Sequence, residues 1–177
     1  MHSAIEVLYN EHIIIKSIID FRDTISAISE SNPEKYKEIV MMLIDFFRNY
    51  ADKYHHNKEE KILFPLISSY SEQMKEGVVE EMLENHNDFR EMVKTIEDSV
   101  KAGKFEDSTE TIYKYTEMLL DHIAVEDDEL FQAAETLLDD KDLDKVYFDF
   151  MDIDRELGLE QKAAYEKIPE NLNTLRN

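Results

Sequence analysis

The fold of this chain is decided by the stretch His55-His56-Asn57-Lys58-Glu59-Glu60-Lys61-Ile62-Leu63-Phe64-Pro65. His55 and Glu59 lie four residues apart, and on a helix that spacing puts both on one face. The arrangement recurs at His122-Ile123-Ala124-Val125-Glu126-Asp127-Asp128-Glu129-Leu130-Phe131, where His122 and Glu126 form the second pair. With single histidines at His12 and His86, six side chains of metal-ligand type are spread along the chain.

The residues around them follow helical rhythm. Ile5, Leu8, His12, Ile15 and Ile19 alternate steps of three and four, the seam of a packed helix expected over about Ser3 to Ser29. Ser31-Asn32-Pro33 reads as stop, N-cap and first residue of a second helix. That helix carries Val40, Ile44, Phe47, Ala51, His55, Glu59 and Ile62 on one face, and Pro65 is expected to end or kink it near Phe64. A polar turn over 68–77 follows. The third helix keeps Val79, Met82, His86, Phe89, Val93, Ile96 and Val100 in register and closes at Gly103. Asp107-Ser108 offers a cap for a fourth, with Ile112, Tyr115, Leu119, His122, Glu126, Leu130, Ala133 and Leu137 inward. Two further amphipathic stretches carry Leu143, Val146, Phe150, Ile153 and Leu157, then Tyr165, Ile168, Leu172 and Leu175. Only 3 glycines and 3 prolines occur in 177 residues, too few for a turn-rich β fold. The expected fold is all-α: an up-down-up-down four-helix bundle over about 3–138, with a C-terminal helical extension over about 142–177, in a single domain.

Composition removes whole classes of function. The formal net charge is -21, from 41 acidic and 20 basic residues, and such a field repels phosphate backbones, so no nucleic-acid partner is expected. The chain has no cysteine, which excludes disulfides and thiolate chemistry. No apolar run reaches membrane-span length and no signal-peptide pattern opens the chain, so the cytoplasm is the expected compartment, with no membrane partner. A monomer and a homodimer are both compatible with the sequence.

Short connections bring the odd polar residues to one level. At a rise of ~1.5 Å per residue, His12, His55, His86 and Glu126 all fall roughly 14–16 Å from the same end of the bundle. Each replaces an aliphatic residue on a seam, and burying that many ionisable groups is costly unless something neutralises them. Neutral imidazole and ionised carboxylate are natural partners of iron, manganese or zinc. Six ligands exceed what one zinc takes, and two metals bridged by Glu59 and Glu126 is the economical arrangement. His12 and His55 would hold one metal, His86 and His122 the other, with positions left open for a small molecule. His56 is a candidate additional ligand, its plainer reading being a histidine at the surface or behind a ligand. Tyr9 and Tyr115 lie near the seam histidines and read as core packing before hydrogen bonding to a bound oxygen species. His2 reads as a terminal bystander. Asp127-Asp128-Glu129 reads as a solvated face, one member of which could steer a ligand from behind.

Asn10-Glu11-His12, His55-x-x-x-Glu59-Glu60-x-x-Leu63-Phe64-Pro65, His86 and His122-Ile123-x-x-Glu126-Asp127-x-x-Leu130-Phe131 together resemble the hemerythrin family, including its bacterial and archaeal cation-binding branch. The likeness spans roughly residues 4–138. It implies a left-handed four-helix bundle around a non-haem di-iron centre, with two iron ions as cofactor. The oxygen-carrying members have a second histidine four residues after the helix-three histidine, where this chain has Arg90. The metal at His86 would then have two histidines rather than three. The carriers also place an aspartate ligand at the position of Asp127, but Glu126 shares the seam with His122 and is the favoured ligand here.

The resemblance implies binding of dioxygen or related small oxidants, for carriage, sensing or scavenging. The alternatives are a di-iron enzyme that decomposes peroxide or handles nitric oxide, motivated by Arg90, and an iron-responsive or iron-storage module.

Overall fold

The computed structural model describes residues 1–174, and every regular element among them is helical. Leu175, the last position of the final amphipathic stretch, lies outside the described residues.

Helix α1 spans Ser3–Ile19, with the His2 side chain as its cap, accepting from the Ala4 amide at 3.2 Å. His2 is therefore no bystander. The single first helix expected over Ser3 to Ser29 breaks at Asp20 and Phe21 and resumes as α2, Arg22–Ser31. The reason is visible in the pattern: the next seam positions after Ile19 are Arg22 and Asp23, and the break instead turns Phe21 and Ile25 into the core.

Asn32 caps α3 by accepting from the Lys35 amide at 3.1 Å, and Pro33 opens it. Helix α3 is continuous over 33–70. It is α-helical over Pro33–Phe46 and Phe64–Tyr70, and wound with wider π turns over Phe47–His56 and Glu59–Leu63. Pro65 does not end it. The wide turn before Phe64 moves the carbonyl that a proline ring would otherwise strike, and the helix runs on to Tyr70. The expected polar turn over 68–77 shrinks to two local breaks, one at extended Ser71 and one at Gly77, where φ is -110° and ψ -111°. Between them lie the short segments Glu72–Met74 and Lys75–Val79.

Helix α4 follows as Glu80–Lys101 and closes at Gly103, whose φ of 73° suits glycine. Helix α5 covers 105–137, with a π turn at Glu126–Leu130. It starts before the predicted cap. Asp107 sits in its first turn, and Ser108 is buried instead, taking a hydrogen bond from the Tyr36 hydroxyl at 3.0 Å. Asp139 caps α6, Asp140–Leu157, by accepting from the amides of Lys141 and Asp142, both at 2.9 Å. Gly158 (φ 85°) turns the chain into α7, Leu159–Glu166, and α8, Ile168–Asn173.

The core falls into two apolar clusters with the polar seam residues between them. One holds Ile15, Ile19, Tyr54, Phe89 and Ile123. The other holds Leu8, Leu63, Met82, Leu130 and Phe131. Along α1 the chain passes from the second cluster to the first, along α3 from first to second, along α4 from second to first, and along α5 back again. The C-terminal helices join both: Val146 and Phe150 enter the second cluster, Ile153, Tyr165 and Leu172 the first.

Candidate metal centre

In the gap between the two clusters the structure brings His12, His55, His86, His122, Glu59 and Glu126 together, and all six are at most 2% exposed. His56 joins them, equally buried. Two groups form. His12, His55, Glu59 and Glu126 converge in one, and His56, His86 and His122 in the other, with the ligand-type atoms of each group within 4.8 Å of one another.

The Nε2 atoms point at shared space. His12 Nε2 lies 3.0 Å from His55 Nε2, and His86 Nε2 lies 3.2 Å from His122 Nε2. Donors held ~2.1 Å from one ion at right angles stand about 3.0 Å apart. The two glutamates lie between the groups. Glu59 reaches His55 at 3.5 Å with one oxygen and His86 at 3.7 Å with the other. Glu126 Oε2 is 3.3 Å from both His12 and His122, and its Oε1 is 3.9 Å from His86. All four carboxylate oxygens are buried with no hydrogen-bond partner. Such oxygens are normally satisfied, and two adjacent carboxylates in a dry interior repel each other unless a cation lies between them. The donor set, five imidazoles and two carboxylates without sulfur, fits a pair of divalent or trivalent first-row metals.

A family model described as Hemerythrin HHE cation binding domain matches residues 3–134. The chain belongs to the hemerythrin HHE cation-binding family. All seven clustered side chains lie within the matched span, which ends in α5 before the C-terminal helices. No curated protein and no solved structure matched the chain.

In the second group the candidate additional ligand His56 stands with His86 and His122. Three imidazoles gather there, because the third comes from α3 rather than α4. His56 stacks on His86 with ring centroids 3.7 Å apart and planes 10° apart. Adjacent residues on an α-helix leave it about 100° apart, so His55 and His56 can both face inward only where the helix is enclosed on several sides. Helix α3 is so enclosed: Tyr54, His55, His56, Lys58 and Glu59 are all buried. Periodicity on one face could not have selected His56.

Arg90 stands behind the clustered histidines. Its Nε donates to Asp52 at 2.8 Å and its Nη2 to Glu60 at 2.5 Å. Glu60 in turn accepts from His86 Nδ1 at 2.8 Å. The same construction recurs at His12 and His55. His12 Nδ1 donates to Asp127 at 2.7 Å, with Lys16 on the far oxygen at 3.1 Å. His55 Nδ1 donates to Glu11 at 2.9 Å, and Glu11 is held by the buried Lys58. Each carboxylate fixes the tautomer that leaves Nε2 free to bind a metal. Asp127 is thus the member of the acidic run that orients a candidate ligand, turned to the outer nitrogen of His12 rather than into the gap. Glu11 stood in the quoted motif without a role. Lys58 carried no signal, since a lysine in a charged run normally marks a solvated face.

Electrostatics prepares the imidazoles. Burial pushes His55 and His56 down to about 4 and His86 down to about 3, so each presents a lone pair at neutral pH. Burial also lowers His12, but its bond to Asp127 and the negative charge of Glu126 beside it outweigh that and leave it raised. Burial and the charge of Glu126 hold Glu59 well above the usual carboxylate range. Burial opposes ionisation of Glu126 too, yet His122 and His12 beside it hold it well below that range.

A cavity of about 280 Å³ reaches the second group from outside. His56 forms part of its wall with Phe47, Phe89 and Tyr115, and Asp52 and Arg90 stand at its polar side. The His56 Nδ1 is unpartnered, 3.5 Å from Asp52. Tyr115 packs against Phe47 and Phe89. Tyr9 donates to the Asp127 backbone carbonyl at 3.0 Å. No helix among the described residues is long and apolar enough to cross a membrane.

Proposed function

We propose that the chain is a non-haem di-iron protein of the hemerythrin HHE family that binds dioxygen or a related small oxidant, for carriage, sensing or scavenging. The observation that carries this reading is the pair of glutamates, Glu59 and Glu126, with four unpartnered buried oxygens between two histidine groups. His12 and His55 would hold one ion and His56, His86 and His122 the other, with Glu59 and Glu126 bridging. A bound iron pair supplies one-electron redox chemistry and positions at which a small oxidant coordinates. The chain's own part is to keep His55, His56 and His86 neutral, to orient the imidazoles, to exclude bulk water, and to admit a small molecule through the cavity beside His56.

The alternating order of the two core clusters along α1, α3, α4 and α5 supports the up-down four-helix arrangement, with α6 to α8 as part of one domain. We read the protein as a cytoplasmic monomer or homodimer. Its net charge of -21 leaves no nucleic-acid partner in this reading. The enzyme that decomposes peroxide or handles nitric oxide remains the second reading, motivated by Arg90; in the proposed ligand set His56 would supply a third imidazole to the second ion.

Anaerobic loading with ferrous iron should bind two ions per chain, and admitting air should raise a charge-transfer band in the visible. Fewer than two ions, or no optical change with oxygen, would overturn the proposal. Oxygen evolution on adding peroxide would move the reading to the enzyme.

A further inference from the structure

We infer that Asp154, on α6 and beyond the family-matched span, is a positioning residue for His55, acting through Lys58 and Glu11. The inference rests on the reading of His12, His55, Glu59 and Glu126 as a metal-holding group.

The connection is continuous. His55 Nδ1 donates to one oxygen of Glu11, and the Lys58 ammonium holds the other. Lys58 lies 2.7 Å from Asp154 Oδ1. Asp154 also accepts from the Tyr54 hydroxyl at 2.7 Å and from Lys162 on α7 at 2.8 Å. Lys58 is 0% exposed, with its ammonium 3.8 Å from the centre of the Tyr54 ring.

Stability alone does not account for this cation. Its ammonium lies between two carboxylates and over the rings of Tyr54 and Phe150, and replacing every member of such a buried ion network with apolar side chains is often neutral or stabilising. What the cation does is fix Glu11 as an oriented carboxylate behind His55. The charges alternate from Glu11 to Lys58 to Asp154 to Lys162. With Asp154 neutral, Lys58 would draw on Glu11 alone, and Glu11 would become a weaker acceptor for the His55 proton. Of the three carboxylates behind the histidines, Asp127 and Glu60 are backed by Lys16 and Arg90, which reach the surface. Only Glu11 is backed by a fully buried cation anchored from the C-terminal helices. By this route the extension becomes part of the metal centre.

The test compares wild type, Asp154→Asn, Asp154→Glu and Asp152→Asn, the last an exposed site on the same helix. Histidine-labelled, metal-free protein is read by nitrogen-15 NMR, which reports which ring nitrogen of His55 carries the proton. Cobalt(II) alone is then titrated and followed by its visible absorption. In wild type and Asp152→Asn, His55 should be protonated at Nδ1. In Asp154→Asn it should become a mixture of tautomers, and the weaker hold should cost about tenfold in cobalt affinity at the His12–His55 group. The His56–His86–His122 group should keep its affinity, and Asp154→Glu should restore both readouts. An unchanged His55 tautomer in folded Asp154→Asn overturns the inference, as does equal weakening of both groups. Should Asp154→Asn not fold, Asp154→Ser, which likewise removes the charge facing Lys58, must change the His55 tautomer in the same direction; no change there also overturns it. Failure of cobalt to bind wild type at all, with the tautomer effect intact, would instead sink the metal reading.

Discussion

At the scale of single residues, the most informative side chain is His56. It shares a wall with the cavity and a ring stack with His86, so it decides whether the second group has three imidazoles or two. His56→Asn should lower iron stoichiometry from two toward one, with the His12–His55 group still occupied; metal analysis of the purified variant checks this. The buried histidines also set a pH dependence for the metal-free protein. His55, His56 and His86 sit at about 4, 4 and 3 in the fold, against an ordinary 6.5. Below 6.5 the unfolded chain takes up protons that these three refuse, so their contribution is full above 6.5 and falls as the pH drops toward 4. For each such group the slope is up to about 1.4 kcal/mol per pH unit. His12 and Glu59, both raised, act in the opposite sense: their contributions are present at low pH and are lost as the pH rises through their folded values. His56→Asn removes one group of the first kind, so the loss of melting temperature between pH 7 and 5 should be smaller in that variant than in wild type. Thermal melts in the presence of a chelator give the answer.

At the scale of elements, much of the helix pattern was open to reading. The three-four rhythm located the long helices, and Asn32-Pro33 marked the start of α3 because the cap and the first-turn proline follow from local backbone chemistry. The departures are equally physical. The first helix broke where its seam would have carried Arg22 and Asp23. Pro65 was accommodated because wide turns precede it. Those π turns depend on how α3 is enclosed, and nothing in a 3.6-residue period announces them. The caps of the C-terminal helices permit a separate test. Asp139→Ala removes the acceptor for two amides at the start of α6 and should cost about 1 kcal/mol, lowering the melting temperature by about 2–4 °C. Metal stoichiometry should not change. A melting temperature equal to wild type would show that α6 is held by packing alone.

At the scale of the whole molecule, the metal centre lies between two apolar clusters that all the long helices cross. A ligand bound only by the folded chain adds stability by mass action, ~2.7 kcal/mol at a hundredfold excess over Kd. Removing iron should therefore lower the melting temperature by about 5–10 °C, recovered on adding ferrous iron without air. Calorimetry of chelated and reloaded protein measures it, and coincident melts would argue that the buried carboxylates hold no metal.

The amino-acid sequence by itself determined which residues could be ligands and which helix faces carried them, because a seam histidine and a glutamate one turn away are local facts of spacing. It also determined the absence of thiolate chemistry, since composition needs no fold. The tertiary structure alone decided that His56 turns inward beside His55, that Arg90 stands behind the histidines through Asp52 and Glu60, and that Lys58 is buried between Glu11 and Asp154. Each of these depends on what a neighbouring helix places opposite, about 30 to 100 residues away in the chain, and a charged side chain reveals its burial only when its partner is in place.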